Sequence, residues 1–406
     1  MKFPLILDGA TGTMLLERGM PGGVCTERWV IEHPEVLQDI QRQYVAAGSN
    51  IVYAPTFGAN RIKLAQHGLG DKVADYNRRL VEISREAVGP EVLVAGDIAP
   101  TGQFIPPVGD LPFEEMVAVY TEQVQALDDA GVDLFIVETI MAIPDARAAV
   151  LAIKSVSSKP IFVTFTVDEQ GRTLTGSDVG AALCAMEALG VTAFGLNCST
   201  GPEAMIPLFT RLQGHTSLPL ICKANAGLPQ TVDGKTVYHC PPEEFIACVP
   251  ALAQAGVRVF GGCCGTTPDH IAALRSCVND LGLDFTADEP FEIAVSTEKQ
   301  AYYLDDVDAD DCVDITCSED LMDDLMDAEE EDETFIRLTL QSEDDLEWFE
   351  ESQYAVKKPL IFLCDDSALL ERALRLYQGV ALYQDQGKID PQRLLHLSGS
   401  YGLKIV

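Results

Sequence analysis

Phe260-Gly261-Gly262-Cys263-Cys264-Gly265-Thr266-Thr267-Pro268 follows an apolar run that contains Val257 and Val259. The run reads as a buried strand, and the glycines read as the turn that ends it. Adjacent cysteines rarely bond each other, because one peptide sets the wrong Cα separation for an unstrained disulfide. Two thiolates at a strand end can instead hold a soft metal, with Gly262 and Gly265 letting the backbone approach it. Zinc takes about four ligands, so at least one more must come from elsewhere in the chain. The plain alternative is a pair of buried structural cysteines.

Seven further short apolar runs precede this one, at 5–7, 51–53, 92–95, 134–137, 161–165, 193–196 and 220–222. Stretches with apolar residues at helical spacing lie between them, such as 113–127 and 142–156. Strand and helix alternating eight times is the pattern of a (β/α)8 TIM barrel. A doubly wound sheet is the rival, and the regularity of eight units favours closure.

Chemistry in such barrels sits at the C-terminal ends of the strands. Those ends carry Asp8-Gly9-Ala10-Thr11, Thr56-Phe57-Gly58, Gly96-Asp97-Ile98, Glu138-Thr139, Asn197-Cys198-Ser199, Asn225-Ala226-Gly227 and Cys263-Cys264. Cys198 is therefore the natural third metal ligand. Three thiolates with one open position suit a site that admits substrate rather than a closed structural site. Asp8 and Glu138 close otherwise apolar strands, and a carboxylate there must be solvated, paired or functional. Two on one rim suit an ammonium group; a helix cap for Asp8 and an internal ion pair for Glu138 are the alternatives. The remaining nine cysteines read as small buried hydrophobes or incidental thiols. Cys312 and Cys317 form no site, and the six histidines have no metal spacing. His270 is placed at the start of the last barrel helix.

Twelve cysteines with no secretory signal point to a reducing cytoplasm. The net charge of −35 disfavours nucleic acid and anionic membranes as partners. No apolar run reaches the roughly 18 residues of a membrane span. Between residues 305 and 351 stand 22 acidic residues against one basic, Arg337. This shift places a boundary near 288–290, giving a barrel over 1–288, an acidic linker over 289–350 and a small α/β unit over 351–406.

Taken together, the motifs Leu7-Asp8-Gly9-Ala10-Thr11-Gly12-Thr13, Thr56-Phe57-Gly58-Ala59-Asn60-Arg61, Gly96-Asp97-Ile98-Ala99-Pro100, Gly195-Leu196-Asn197-Cys198-Ser199, Asn225-Ala226-Gly227 and Gly261-Gly262-Cys263-Cys264-Gly265 resemble the zinc-dependent homocysteine S-methyltransferase family. The likeness is greatest to the homocysteine-binding module of cobalamin-dependent methionine synthases, and it covers about residues 1–286. It implies a (β/α)8 barrel, Zn2+ held by Cys198, Cys263 and Cys264, and methyl transfer to the thiol of homocysteine. It further implies that Asp8 and Glu138 hold the substrate's amino group and that backbone near Gly9 and Thr11 meets its carboxylate. Asn225 matches a residue that can take the fourth zinc position when substrate is absent.

The residues after 290 resemble part of a pterin-binding barrel: a strand and helix over 359–379, then a helix and strand over 392–406. The pterin-binding signature is absent, and the strands are too few to close a barrel. A decayed folate module and an unrelated acidic appendage are the two readings. The acidic run 305–333 is expected to be a solvated linker, with docking of a basic partner as the alternative. No Asp-x-His-x-x-Gly pattern for cobalamin occurs. The methyl donor is therefore expected from outside, as a methylated corrinoid protein or methylcobalamin, or else a sulfonium such as S-methylmethionine. A non-catalytic zinc-binding module that binds or regulates a partner is the competing class.

Overall fold

The computed structural model describes residues 1–232, 235–287 and 292–406. The boundary expected at 288–290 lies outside the described residues. Eight strands form one parallel sheet: β1 (Leu5–Ile6), β2 (Ile51–Tyr53), β3 (Leu93–Ile98), β4 (Leu134–Ile140), β5 (Ile161–Phe165), β6 (Ala193–Asn197), β7 (Leu220–Ala224) and β8 (Val257–Gly262). Their order is β1-β8-β7-β6-β5-β4-β3-β2, consecutive all the way round, with β1 beside β8. A doubly wound sheet would reverse direction partway; this one is a TIM barrel.

The seam between β1 and β2 is bridged by Asn50. Its N–H donates to the Ile6 carbonyl at 2.7 Å, and its side-chain oxygen accepts from the Ile6 N–H at 2.9 Å. At the entry to the barrel, Phe3 packs edge-on against Phe285, which follows the last barrel helix, with ring centroids 5.4 Å apart.

The strands are apolar on both faces because both faces are buried. Alternate residues fill the barrel interior, among them Leu5, Leu7, Ile51, Ala95, Ile136, Phe162, Ile221 and Val259. Their neighbours Ile6, Val52, Val94, Phe135 and Val163 pack outward beneath the helices. The helix Pro268–Leu281 begins with a capping box between Thr267 and His270, and Pro268 fills its first position.

Residues 292–406 form a second α/β region. Strands β9 (Ile293–Ser296) and β10 (Ala301–Leu304) make an antiparallel hairpin. Strands β11 (Cys312–Thr316), β12 (Phe335–Thr339), β13 (Leu360–Leu363), β14 (Leu382–Tyr383) and β15 (Lys404–Ile405) make a parallel sheet in consecutive order. One sheet face carries Ile336, Leu338, Leu360 and Phe362 against the intervening helices. The other carries Phe335, Ile361 and Leu382, and the hairpin covers it through Val295, Ile293, Tyr302 and Leu304.

The linker expected over 289–350 is corrected here. The acidic run supplies strand β11 and the helix Leu321–Glu330, whose Leu321, Leu325 and Ala328 are buried. β12 and β13 are hydrogen-bonded neighbours, so no division falls at 350. Composition misled because it averages over a helix: apolar residues at helical spacing bury one side while the acids line the other.

The second region covers two barrel helices that are buried nearly all round. Residues 143 through 153 of the helix Ile143–Val156 are buried without a break, as are 179 through 186 of the helix Val179–Ala188. At this interface Arg147 is fully buried and donates to the Leu374 carbonyl at 3.0 Å, at the end of the helix Ser367–Leu376. No helix among the described residues is long and apolar enough to cross a membrane.

Candidate active site at the barrel mouth

The inward register of the strands continues past the apolar layers into a polar one. Two residues beyond Ala95, Ile136 and Ile221 on their strands stand Asp97, Glu138 and Lys223, and Tyr53 follows Ile51 in the same way. Side chains two apart in a strand share a face, so these four converge on the barrel axis. With Asp8, Gly9, Thr11, Cys198, Cys263 and Cys264 they line a cavity of about 310 Å³.

Charge is concentrated on its floor. Asp8 is buried and accepts from the Tyr53 N–H at 2.9 Å. Lys223 Nζ lies 3.5 Å from Asp8 Oδ1 and 3.6 Å from Glu138 Oε2, and 3.9 Å from the centre of the Tyr53 ring. Burial pushes the Asp8 carboxyl up to about 6, against the pull of Lys223 and the Tyr53 N–H. Burial and the neighbouring Glu138 raise Asp97 well above the carboxylate range. Burial works against the charge on Lys223, but Glu138, Tyr53 and Asp8 outweigh it and hold the ammonium well above its ordinary value.

The thiols form the opposite wall. Cys198, Cys263 and Cys264 present sulfurs that all lie within 4.8 Å of one another, and no other such metal-binding group occurs among the described residues. Cys198 and Cys264 are 4.0 Å apart. Two ligands at about 2.3 Å on a tetrahedral zinc sit roughly 3.8 Å apart, so the donor set and its spacing fit that ion. Hydrogen bonds with Cys198 and Cys263 lower the Cys264 thiol, and those with Cys198 and Cys264 raise Cys263.

Strained backbone frames this wall. Among the described residues, the non-glycine positions with positive φ are Thr139 at 59°, Cys198 at 60° and Ser199 at 59°. For a β-branched threonine this is a costly conformation, of order 1–3 kcal/mol. Asn197 holds it in place: its side-chain oxygen accepts from the Thr139 N–H at 3.0 Å, and its amide donates to Thr139 Oγ1 at 2.7 Å. The same amide points at the Cys263 sulfur, 3.9 Å away. The Cys198 N–H donates to the Lys223 carbonyl at 3.1 Å, and the Cys263 N–H to the Ala224 carbonyl at 2.7 Å. The ends of β6 and β8 are thus both tied to β7.

On the remaining side, the helix Thr11–Glu17 starts at the cavity. Ala10 caps it without a side-chain bond, and Gly9 through Thr13 line the cavity. A side chain at Gly9 would meet Tyr44 at 2.7 Å, so this approach requires glycine. Asn225 is buried with an unpartnered side-chain oxygen, on the loop whose Ala226 N–H donates to the Cys264 carbonyl at 2.9 Å; it is not among the cavity-lining residues.

The structure therefore gathers Asp8, Gly9, Thr11, Glu138 and the three cysteines in one cavity. Sequence reasoning passed over Lys223 and Tyr53, and it placed Asp97 at a strand end without giving it a role. The signal for Lys223 was present: a lysine inside Leu220-Ile221-Cys222-Lys223-Ala224 must find a partner once that strand is buried.

A TIM barrel with a three-thiol cluster and a carboxylate pair at its C-terminal mouth belongs to the class of barrel proteins whose rim could hold a metal ion. The family model for homocysteine S-methyltransferase matches residues 5–278, and the chain belongs to that family. It is 35% identical over 294 residues to methionine synthase of Mycobacterium leprae and 33% identical over 297 residues to that of Mycobacterium tuberculosis. These matches cover 68% of this chain but 24% and 25% of the relatives, so the chain spans about a quarter of their length. The crystal structure of the Escherichia coli homocysteine methyltransferase MmuM in its metallated form aligns with a TM-score of 0.58 at 26% identity, covering 67% of this chain and 95% of that one.

Proposed function

We propose that this chain transfers a methyl group to the thiol of homocysteine, giving methionine, with zinc held by Cys198, Cys263 and Cys264. The observation that carries this reading is the placement of three clustered thiols and the Asp8–Glu138 pair in one cavity. Zinc bound there supplies a Lewis acid that lowers the pKa of a substrate thiol.

The chain's own residues do the positioning. Asp8 and Glu138 take the amino group, and the N–H groups after Gly9, around Thr11, meet the carboxylate. Asn225, buried after β7 with an unpartnered side-chain oxygen, is assigned the open metal position when substrate is absent. In the transfer the S–H proton leaves to solvent, the S–CH3 bond forms as the methyl–donor bond breaks, and the donor keeps the bonding pair. The buried floor excludes water from the sulfur, which preserves its nucleophilicity.

The likeness to methionine synthases favours a methylated corrinoid as donor, presented in trans at the open mouth. A sulfonium such as S-methylmethionine is the second donor class. The test is zinc content with and without homocysteine, together with proton release on addition. One zinc per chain and release of about one proton support the reading, and turnover with methylcobalamin against S-methylmethionine then assigns the donor. A chain that binds no zinc, or holds zinc without responding to homocysteine, overturns it in favour of a non-catalytic module.

A further inference from the structure

The Asp8–Glu138 pair already holds a cation. Asp8 Oδ1 and Glu138 Oε2, the oxygens nearest Lys223, have no hydrogen-bond partner, and Lys223 Nζ lies 3.5 and 3.6 Å from them. The lysine reaches this place along a prepared path. A side chain at Gly261 would stand 3.2 Å from Lys223 Cγ, and the Tyr53 ring backs the ammonium. Lys223 is 4% exposed, so its charge is a fixed part of the cavity floor.

Three carboxyls converge there: Asp8 after β1, Asp97 on β3 and Glu138 on β4. Tyr53 on β2, Tyr44 from the helix Pro34–Ala46 and Cys263 after β8 complete the titratable surroundings of Asp8 and Lys223. Burial favours the protonated, neutral form of Asp97. Two carboxylates and one ammonium then leave one negative charge, which matches one further ammonium. Without the lysine, Asp8 would lie beside a second carboxylate in a water-poor cavity with no opposing charge, which favours its protonated form.

We propose that Lys223 is a positioning residue, a built-in counter-cation that holds Asp8 as a carboxylate beside Glu138 so that the pair accepts the amino group of the thiol substrate. The inference rests on the proposed role of that pair in binding homocysteine. It adds that neutral-pH recognition of the amino group depends on a cation from β7.

The experiment compares homocysteine with its deamino analogue 4-mercaptobutyrate by calorimetric titration of the zinc-loaded chain. Taking the ratio of the two affinities cancels the thiol's own titration. The native chain should prefer homocysteine; equal binding of both thiols would sink the amino-group role of Asp8 and Glu138 itself. Given that preference, Lys223→Met should keep one zinc per chain and lose about tenfold or more of it at pH 7, since one unit of carboxylate pKa is a factor of ten. The preference should return as pH is raised toward about 8.5, where Asp8 ionises without help.

Lys223→Arg retains the charge and should retain the preference within about threefold, which separates charge from packing and still tests the idea if the methionine variant fails to fold. Unchanged or tighter homocysteine binding in Lys223→Met would show that the lysine competes for the site and would overturn the proposal. An equal loss for both thiols, a loss that does not vary with pH, or a full loss in Lys223→Arg would overturn it as well.

Discussion

The barrel and the C-terminal region are built from the same unit, a parallel strand followed by a helix, and they differ in what fills the inner face of the sheet. In the barrel the strands close on themselves, and the last inward positions of β2, β3, β4, β6 and β7 carry Tyr53, Asp97, Glu138, Asn197 and Lys223 instead of aliphatic residues. In the C-terminal region the five strands stay open, and the corresponding face is filled by the β9–β10 hairpin through Val295, Tyr302 and Leu304. A repeated fold therefore does not by itself create a site. The site arises where closure brings strand ends together and the sequence there trades packing for charge.

The contrast can be broken most directly at the thiols. On the proposed function, Cys263→Ser should lose zinc binding and, with it, methyl transfer by a factor of about a thousand or more. Metal analysis beside turnover checks this, and the C-terminal region should unfold as before. The chain has two tryptophans, Trp29 in a barrel helix and Trp348 in a C-terminal one. Replacing either with phenylalanine leaves a fluorescent reporter for one region at a time.

The converse test is Ile361→Ala, on the hairpin-covered face. It should cost about 3 kcal/mol, as for other buried aliphatic truncations. Denaturant titration followed by Trp348 should report this while zinc content holds at one per chain. Loss of zinc in this variant would mean that the regions are not separable in function.

At the interface, Asp145 is 1% exposed with both carboxylate oxygens unpartnered, and burial pushes it up to about 7 from an ordinary 3.8. An acid whose folded pKa is raised binds its proton more tightly in the folded state, so stability falls as pH rises from about 4 to about 7. Asp145→Asn should therefore have little effect near pH 3.5 and stabilise the chain by up to about 3 kcal/mol at pH 8. Unfolding curves at the two pH values decide it; equal effects at both would show that the carboxyl finds a partner.

The smallest effect is expected at the rim of the same interface. Arg375 pairs in bidentate fashion with Glu114, one contact at 2.9 Å, but both side chains are partly exposed. Arg375→Ala should cost less than about 1 kcal/mol. A larger loss would move the strength of the interface from buried apolar contact to its charged rim.

How much of this was legible in the sequence follows from what each residue type reveals alone. The barrel strands were readable because apolar runs ended in glycine and a polar residue, and Cys198, Cys263 and Cys264 stood out because cysteines are unusual at such ends. The helix after Asp178 carried a second signal, since Val179-Gly180-Ala181-Ala182-Leu183 is apolar on every side. Such a helix must be covered on its outer face, and the C-terminal region covers it. Lys223 was not legible because its meaning depends on two carboxylates 85 and 215 residues away in sequence. Nor were the buried states of Asp145 and Arg147, which exist only once the second region has docked. The acidic run was misread because charge density says how a helix meets solvent and nothing about its buried side.

The adjacency of β1 and β8 has one further consequence. The chain enters the barrel and leaves it at neighbouring points, where Phe3 meets Phe285. A ring whose entrance and exit coincide is a cassette: it can be spliced between other segments, or cut and rejoined at a different loop, without stretching any strand. A circularly permuted barrel opened at a surface loop away from the mouth would keep the same strand neighbours and the same three thiols together. The cavity face and the attachment points thus lie on separate parts of the molecule, and either can change without the other.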